Sequence, residues 1–541
     1  MNDLDQTCVR IKAPATQAAV GAPTAGIMLK AEEEQVAVLI CHGMGQQVPF
    51  ATLDCVAKAL LDAAPRPSPE VQVQFIKFGD DWLPRAALTL RDAAGTRRTV
   101  HLYEAYWAPL TEGRVTALDV VRFLLAAGWN GVKYSLRGAF DRWMFGGPQS
   151  LPLPAITLLQ LLLACIVLGS MLMIFFAFVA VAALHVLMGF NILWPDNVLT
   201  ATLTRDLLYS PLILSIPIAV YGALAVLYGV VRRLAARRAG SPRAPTAPRV
   251  KQPPARWMRL AAGLLLDVIL IATVFAGASI LYHLAVHWGD SSIIQASTPL
   301  DARPAAQPWR AFFYTLFFAA SAALIYKARW FFVQYAGDVA AYVSAHTVSK
   351  FHEVRERIRA TGIKVAHAVY EARAANSPDF AYQRIIVVGH SLGSVVAYDT
   401  LNAVINNDIL SGGALRAVQR THMLLTLGSP LDKTAFIFRT QTKNAVVREA
   451  LAAAKQPLIQ DYTLRPARWV NIWSRHDWIS GPLEYYDEPL QSGATADTRR
   501  VENIEDREAY IPLAAHTQYW DHTLFAETLY RAIVQPVSGG R

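Results

Sequence analysis

The stretch that decides the fold is Arg384-Ile-Ile-Val-Val-Gly-His-Ser-Leu-Gly-Ser-Val-Val-Ala-Tyr398. An apolar run typical of a buried strand leads into Gly389-His-Ser-Leu-Gly393, and a helical pattern follows at once. A strand, a tight turn and a helix in this order are the setting in which G-x-S-x-G forms a nucleophile elbow. The pattern therefore predicts that Ser391 is a nucleophile.

The residues around Ser391 fit the needs of such an elbow. Gly389 and Gly393 have no Cβ, so they allow neighbouring backbones to come close in the turn, with His390 between the first glycine and the serine. The N–H of Leu392 lies at the start of the following helix and points into the same space as the serine. We therefore expect the Leu392 N–H to stabilise an oxyanion.

A second glycine-rich turn comes early in the chain. Val36–Ile40 has the composition of a short buried strand, and Cys41-His-Gly-Met-Gly-Gln-Gln47 follows it directly. A flexible turn with small side chains can direct backbone N–H groups at a nucleophile. We expect this turn, which begins with His42, to be the oxyanion loop, with the N–H of Gly43 or Met44 as the second donor.

A serine hydroxyl needs a base, and in this type of site the base histidine comes last in the chain. The histidines after Ser391 are His422, His476, His516 and His522. His516 lies in Ala514-Ala-His-Thr-Gln-Tyr-Trp520, a loop ahead of the final predicted helix, where the base belongs. His522 is the competitor, although the pattern places it in the first turn of that helix.

The base in turn needs an acid to orient it. Asp477 follows the strand predicted at Trp469–Trp473, and an acid just past a sheet strand is where this group belongs. Asp432, after Gly428-Ser-Pro430, is the alternative. His476, adjacent to Asp477, is interpreted as a bystander.

Other chemistries have weaker signals. His516, Asp521 and His522 form a polar cluster, but the sequence has no H-E-x-x-H spacing, so we expect no metal site and no cofactor. The four cysteines include no C-x-x-C pair, which excludes a disulfide framework or a zinc pattern and suits a reducing cytoplasm.

Strand and helix patterns alternate along the remaining chain, which predicts an α/β fold with a mostly parallel sheet flanked by helices. The predicted strands are Val71–Phe78, Thr99–Tyr106 and Met423–Leu427. The predicted helices are 51–63, Val343–Asn376, 392–406 and Leu524–Val534.

Four long apolar runs lie between the two parts of this pattern: Ile156–Phe190, Leu207–Val231, Leu260–Trp288 and Trp309–Phe332. Each is long enough to span the bilayer core, which needs about 20 residues. The whole chain is 53% hydrophobic and only 17% charged, whereas a soluble domain has about a quarter of its residues charged. The runs therefore predict an inserted four-helix transmembrane domain.

The net charge of +10 indicates orientation, because arginines and lysines concentrate between Arg232 and Arg259, in the loop after the second run. The positive-inside rule places that loop, and with it both soluble parts, in the cytoplasm. A charge gathered in one loop does not indicate nucleic-acid binding. Asp267, inside the third run, is interpreted either as a functional acid or as a partner for an arginine of the loop.

The predicted domains are a disordered leader over 1–35, a first part of the catalytic domain over 36–150, the transmembrane insert over 151–335 and the second part over 336–541. Because the leader lacks a basic region followed by an apolar core, we expect no cleavable signal peptide. Residues 115–145 form an amphipathic helical stretch, which suits an ordinary surface helix or a helix that lies on a membrane.

Several motifs of this chain resemble bacterial α/β-hydrolases of the lipase kind, and distantly the GPI-inositol deacylase-like lipases. The matching segments are His42–Gln47, Tyr103–Ala108, Gly337–Tyr342, Gly389–Tyr398, Thr426–Leu431, Asn471–Asp477 and His516–Trp520. The resemblance covers roughly residues 36–110 and 335–535 and implies an α/β-hydrolase fold. It also implies ester hydrolysis through an acyl-enzyme, with Ser391, Asp477 and His516 as the triad. The family's usual lid is a short soluble insertion, whereas here the insert is expected to cross the membrane.

These observations favour a serine ester hydrolase of the bacterial inner membrane that acts on membrane lipids. A bilayer is the expected partner, nucleic acid is not, and the sequence leaves the oligomeric state open. One alternative is a thioesterase or protein deacylase at the membrane. Another is a membrane scaffold that has the fold without turnover, although a scaffold has no need of a complete Ser, Asp and His set.

Overall fold

The computed structural model describes two parts of the chain, together with residues 28–29 and a few residues between 166 and 286, which are 166, 170, 268, 271, 274–282, 285 and 286. The other described ranges are 34–45, 47–65, 71–91, 97–136, 139–144, 147–152, 337–343, 349–374, 377–441, 446–477, 479–487, 500–510 and 514–535. Apart from the few residues between 166 and 286, the four predicted membrane spans lie outside the described residues, as does most of the predicted leader. No helix among the described residues combines the length and apolar composition needed to cross a membrane.

The strands of the described residues form one large sheet and two small ones. They are β1 (Met28–Leu29), β2 (Glu34–Cys41), β3 (Val71–Phe78), β4 (Asp81–Arg91), β5 (Arg97–Ala105), β6 (Ala139–Met144), β7 (Gly147–Pro152), β8 (Arg373–Ala374), β9 (Arg384–His390), β10 (Thr421–Leu427), β11 (Arg468–Trp473) and β12 (Glu502–Glu505).

The helices pack mainly on the large sheet. They are α1 (Ala51–Ala63), α2 (Ala117–Ser135), α3 (Ser349–Tyr370), α4 (Leu392–Leu410), α5 (Ala417–Arg420), α6 (Leu431–Gln441), α7 (Val446–Ala454), α8 (Pro457–Gln460) and α9 (Thr523–Val534). Residues 337–343 are also helical.

The large sheet has eight strands in the order β12-β11-β10-β9-β2-β5-β4-β3. The strands from β12 to β5 pair in parallel, and β4 is antiparallel to both of its neighbours. All seven residues of β9 are buried, which is expected of a central parallel strand covered on both faces. The prediction of an α/β fold with a mostly parallel sheet is confirmed.

Alternate residues of the central strands enter two cores, one on each face of the sheet. On one face Val38 of β2 and Val388 of β9 belong to the core that includes residues of α1 and α9. On the other, Leu39 and Val387 belong to the core that includes residues of α3 and α4. The parallel strands end together at one edge of the sheet, so the loops that follow β2, β9 and β11 meet there.

Some predicted boundaries are wrong. Residues 139–144 form strand β6, so the helix predicted over 115–145 ends at Ser135. The helix predicted over Val343–Asn376 ends earlier, at Tyr370 of α3, and two residues of β8 follow it. Residues 344–348, near its predicted start, lie outside the described ranges. The helix predicted over 51–63 and the strand predicted over 71–78 match α1 and β3.

Candidate active site

Ser391 lies in a strained turn between β9 and α4. Its φ of 54° and ψ of −132° place it in a region that residues other than glycine rarely adopt. Its N–H donates to the carbonyl oxygen of Leu427 on β10 at 2.9 Å, which helps to hold the turn in place. Such strain persists only where the surrounding structure imposes it, and it is common at nucleophiles.

Two glycines make this turn possible. A Cβ at Gly393 would collide with the carbonyl oxygens of Cys41 and His42, in the loop after β2. A Cβ at Gly389 would collide with the backbone of Ser394 in the first turn of α4. The close backbone approach that the sequence predicts for both glycines is therefore present, and it brings the turn of Ser391 against the glycine-rich loop.

A continuous hydrogen-bond chain runs from Ser391 through His516 to Asp477. The Ser391 Oγ lies 2.7 Å from His516 Nε2, and His516 Nδ1 lies 2.9 Å from Asp477 Oδ2. His516 is in a short 3₁₀ turn, Ala514–Thr517, ahead of α9. The structure thus brings together the three residues selected from the sequence, although 125 positions separate Ser391 from His516.

Asp477 is placed to accept hydrogen bonds and remain ionised. Burial alone would raise the pKa of its carboxyl, but donors from His516, the Ile479 N–H and the Tyr519 hydroxyl outweigh burial and lower the pKa. The Ile479 N–H and the Tyr519 hydroxyl each lie 2.9 Å from a carboxylate oxygen. An ionised Asp477 fixes the proton of His516 on Nδ1, which leaves Nε2 free to take a proton from Ser391.

His390, in the turn before Ser391, contacts His516 directly. Its Nε2 lies 2.7 Å from the carbonyl oxygen of His516, which can only accept, so Nε2 donates. Burial lowers the pKa of His390 to about 3, so the ring is neutral at ordinary pH. The sequence placed His390 in the turn but gave no sign of this bond. Tyr519, which donates to Asp477, was also not selected from the sequence.

The structure places the alternative triad residues elsewhere. His522 occupies the N-cap position of α9, and its Nδ1 lies 2.6 Å from Asp506 Oδ2. Asp432 lies in the first turn of α6, beside Gly481. His422 is on β10, and the N–H of His476 donates to the Ser474 hydroxyl at 3.1 Å.

The predicted oxyanion loop follows β2 and is organised by His42. The Trp107 N–H donates to His42 Nε2 at 3.0 Å, so Nδ1 carries the proton and donates to the Gly43 carbonyl oxygen at 2.8 Å. The His42 ring also stacks on Trp107, with 4.7 Å between ring centroids. Burial lowers the pKa of His42 to about 4, which keeps the ring neutral and in this tautomer.

The anchored carbonyl determines the direction of the next N–H. The C=O of Gly43 and the N–H of Met44 belong to one planar trans peptide and point in opposite directions. Because His42 holds the carbonyl, the Met44 N–H is directed away from the His42 ring. Gly43 itself borders Ser391, since a Cβ built on Gly43 would be 3.1 Å from Ser391 Cβ.

Leu392 is the first residue of α4, so its N–H has no acceptor inside the helix. This N–H and those of Gly43 and Met44 are the backbone donors that the sequence indicated. Leu392 follows Ser391 in the chain, and Gly43 borders Ser391 in space. The positive end of the α4 dipole adds to the preference for an anion at this point.

Within the described ranges no group of three or more His, Cys, Asp or Glu side chains is arranged to hold a metal ion. Of the polar cluster noted in the sequence, His516 and His522 bind different carboxylates, Asp477 and Asp506. The arrangement therefore suits proton transfer from a serine to an oriented histidine.

The chain was also compared with known proteins. It shows no match to a protein-family model, to a curated protein or to a solved structure.

Proposed function

We propose that this protein is a serine hydrolase with an α/β-hydrolase fold that cleaves carboxylic esters through an acyl-enzyme. The single observation that carries the proposal is the unbroken Ser391–His516–Asp477 hydrogen-bond chain beside a loop of anchored backbone N–H groups. The strained φ of Ser391 adds support, because a nucleophile elbow holds its serine in such a turn at the head of a helix.

In the acylation step Ser391 Oγ attacks the ester carbonyl carbon while His516 Nε2 takes the hydroxyl proton. The carbonyl oxygen becomes an oxyanion, which the N–H groups of Leu392 and of Gly43 or Met44 stabilise. When the intermediate collapses, the bond to the leaving oxygen breaks and His516 returns the proton to the alcohol. Asp477 stays ionised throughout and stabilises the imidazolium.

In the deacylation step a water molecule replaces the alcohol. His516 takes a proton from the water as its oxygen attacks the acyl carbon, and the same donors stabilise the second oxyanion. Collapse of that intermediate returns the proton to Ser391 and releases the carboxylic acid. The cycle consumes one water and uses no cofactor, since each proton that His516 accepts is returned within the same step.

Membrane lipids are the substrates we propose. The apolar runs from Ile156 to Phe332 are each long enough to span a bilayer, and the basic loop after the second run favours a cytoplasmic site. An inserted four-helix membrane domain would hold the site against the inner leaflet of a bacterial inner membrane, where acyl esters are concentrated.

The exposed face of α2 also supports contact with a membrane. Leu118, Leu125 and Trp129 are more than half exposed, and their spacing of seven and four residues places them on one side of the helix. Val120 and Phe123 of the same helix are buried. An apolar exposed stripe opposite a packed face is typical of a helix that lies at a bilayer surface.

The experiment is fatty-acid release from mixed phospholipid vesicles by the detergent-purified protein and by its Ser391→Ala variant. We expect release by the parent and a loss of about a thousandfold or more in the variant, the scale seen when a triad nucleophile is removed. Ser394→Ala is a matched control, because Ser394 is a buried serine in the next turn whose hydroxyl donates to the Ser391 carbonyl oxygen.

The failures of this experiment are distinguishable. Release that survives in Ser391→Ala would contradict the assigned nucleophile. If neither protein releases fatty acid but the parent cleaves an acyl thioester, the lipid substrate is wrong and a thioesterase or protein deacylase takes its place. If no ester or thioester is cleaved, a membrane scaffold with this fold is the better account.

A further inference from the structure

A buried carboxylate holds the far side of the oxyanion loop. Asp338 lies in the helical segment 337–343, is 4% exposed, and accepts the Gly45 N–H on Oδ2 at 2.7 Å. Gly45 has a φ of +92°, a backbone conformation that glycine adopts readily. A charge-assisted bond from a backbone N–H to a carboxylate is among the stronger hydrogen bonds in proteins.

The Met44 N–H lies between two anchors. On one side His42 Nδ1 holds the Gly43 carbonyl oxygen at 2.8 Å, and on the other Asp338 holds the Gly45 N–H. The first anchor fixes the Gly43–Met44 peptide, and the second fixes the Met44–Gly45 peptide. Together they leave the Met44 N–H little rotational freedom, which is the preorganisation that an oxyanion donor requires.

The helical segment 337–343 also hydrogen-bonds to α4, the helix that begins beside Ser391. Tyr342, four residues after Asp338 and so on the same face of a helix, donates from its hydroxyl to Asp399 Oδ2 at 2.7 Å. Asp399 lies on α4, which begins beside Ser391, and it also accepts from Arg355 of α3 at 3.1 Å. Residues 337–343 therefore connect the oxyanion loop to the helix that carries the nucleophile.

We propose that Asp338 is a positioning residue for the reaction, and that it acts by fixing the oxyanion loop so that the Met44 N–H faces the developing oxyanion. The proposal rests on the serine hydrolase function proposed above. Burial of the Asp338 carboxylate is unfavourable. It raises the pKa of Asp338 to about 6, even though the hydrogen bond from the Gly45 N–H opposes the shift. A purely apolar side chain would avoid that cost but could not hold the N–H.

The test is the reaction of Ser391 with a fluorophosphonate, whose phosphorus oxygen occupies the oxyanion position in the adduct. The limiting rate of phosphonylation and the concentration for half-maximal rate are measured for the parent, Asp338→Asn and Asp338→Ala. We expect Asp338→Ala to lower the limiting rate by about 10- to 100-fold, because a small misplacement near the chemistry costs that much. The half-maximal concentration should change little. Asp338→Asn keeps an oxygen for the Gly45 N–H and should restore most of the rate.

Asp408→Ala is the matched control. Asp408 is also a buried carboxylate that accepts two backbone N–H groups, from Leu415 and Ala417, each at 2.7 Å, but it lies at the far end of α4. Its loss should lower the melting temperature and leave the limiting rate of the folded protein unchanged. Should Asp338→Ala fail to fold, Asp338→Ser replaces it, since a shorter polar side chain cannot reach Gly45.

Two results would overturn the inference while leaving the proposed function intact. One is an Asp338→Ala or Asp338→Ser protein that reacts as fast as the parent. The other is an Asp338→Asn protein as slow as Asp338→Ala, because then the hydrogen-bond acceptor is not what matters. A parent whose Ser391 does not react at all would overturn the proposed function, and this inference with it.

Discussion

Two buried histidine–aspartate pairs lie close together in the chain, and among the described residues only one of the two histidines has a hydrogen bond to a serine. His516 Nδ1 binds Asp477 at 2.9 Å, and His522 Nδ1 binds Asp506 at 2.6 Å. The two acids follow neighbouring strands, β11 and β12. The two histidines are six positions apart, with His516 in the turn ahead of α9 and His522 at its start. His516 Nε2 lies 2.7 Å from Ser391 Oγ, whereas His522 occupies the N-cap position of α9.

The comparison shows that a buried His–Asp pair does not by itself indicate catalysis. The Asp506 pair joins the loop after β12 to the start of α9, which is a structural task. The Asp477 pair does the same for the loop of His516, but its second ring nitrogen faces a hydroxyl in a strained turn. The third partner, not the pair, distinguishes the candidate base from a structural histidine.

The largest expected effect separates the two histidines. His516→Gln removes the base and should lower the rate of short-chain ester hydrolysis by about 10⁴-fold or more, as expected for a triad member. His522→Gln should change that rate by less than about tenfold, because the hydrogen bond of its ring goes to Asp506, not to Asp477. Initial rates of both purified variants, measured side by side, check this. Equal losses in both would remove the distinction.

The second effect separates the two acids. Asp477→Asn should lower the limiting rate by about 10³- to 10⁴-fold, because the amide no longer selects the tautomer in which Nε2 accepts a proton. Asp506→Asn should instead lower the free energy of unfolding by about 1–3 kcal/mol, the cost of weakening a buried hydrogen-bonded pair. Steady-state kinetics and urea unfolding of both variants test this. A slow Asp506→Asn enzyme with unchanged stability would contradict it.

A smaller effect comes from His390, which donates to the carbonyl oxygen of His516. His390→Phe removes this donor, so the loop of His516 loses one of its anchors, and we expect the limiting rate to fall by about tenfold. His390→Asn retains a donor and should recover part of the loss. A rate equal to that of the parent in His390→Phe would show that Asp477 alone is enough to orient the base.

The smallest effect is a pH dependence of stability. The folded-state pKa of Asp477 is lowered, so its stabilising contribution is present above the ordinary carboxyl pKa and is lost as pH falls through the lowered value. The difference in unfolding free energy between the parent and Asp477→Asn should therefore be constant from pH 7 to about 4 and shrink below that. Urea unfolding across this range tests it. A difference that shrinks between pH 7 and 5 would contradict the direction of the shift.

Local sequence patterns were sufficient for much of the fold and for the triad candidates. Each of three features is encoded within a few residues: the buried strand that leads to Gly389, the glycines at positions where a Cβ would collide, and the acid after β11. Ser391, Asp477 and His516 could be selected because the order of these elements restricts where each group can lie. The boundaries of α2 and α3 were wrong because the sequence pattern continues past the residues at which the helices end.

The supporting contacts could not be predicted, because they join distant parts of the chain. Asp338 and Gly45 are 293 positions apart, and His390 and His516 are 126 apart. The Tyr519 hydroxyl donates to Asp477 from 42 positions further along the chain. β12 was missed because Glu502–Glu505 is short and polar, so it lacks the apolar period that marks a buried strand.

The most direct test of the central claim is to identify which residue a fluorophosphonate modifies, and on which histidine that modification depends. The parent, His516→Gln and His522→Gln proteins are treated with the reagent, digested and examined by peptide mass spectrometry. We predict an adduct on Ser391 in the parent and in His522→Gln, and essentially none in His516→Gln. An adduct on Ser391 that forms as fast in His516→Gln, or an adduct on another serine, would contradict the account.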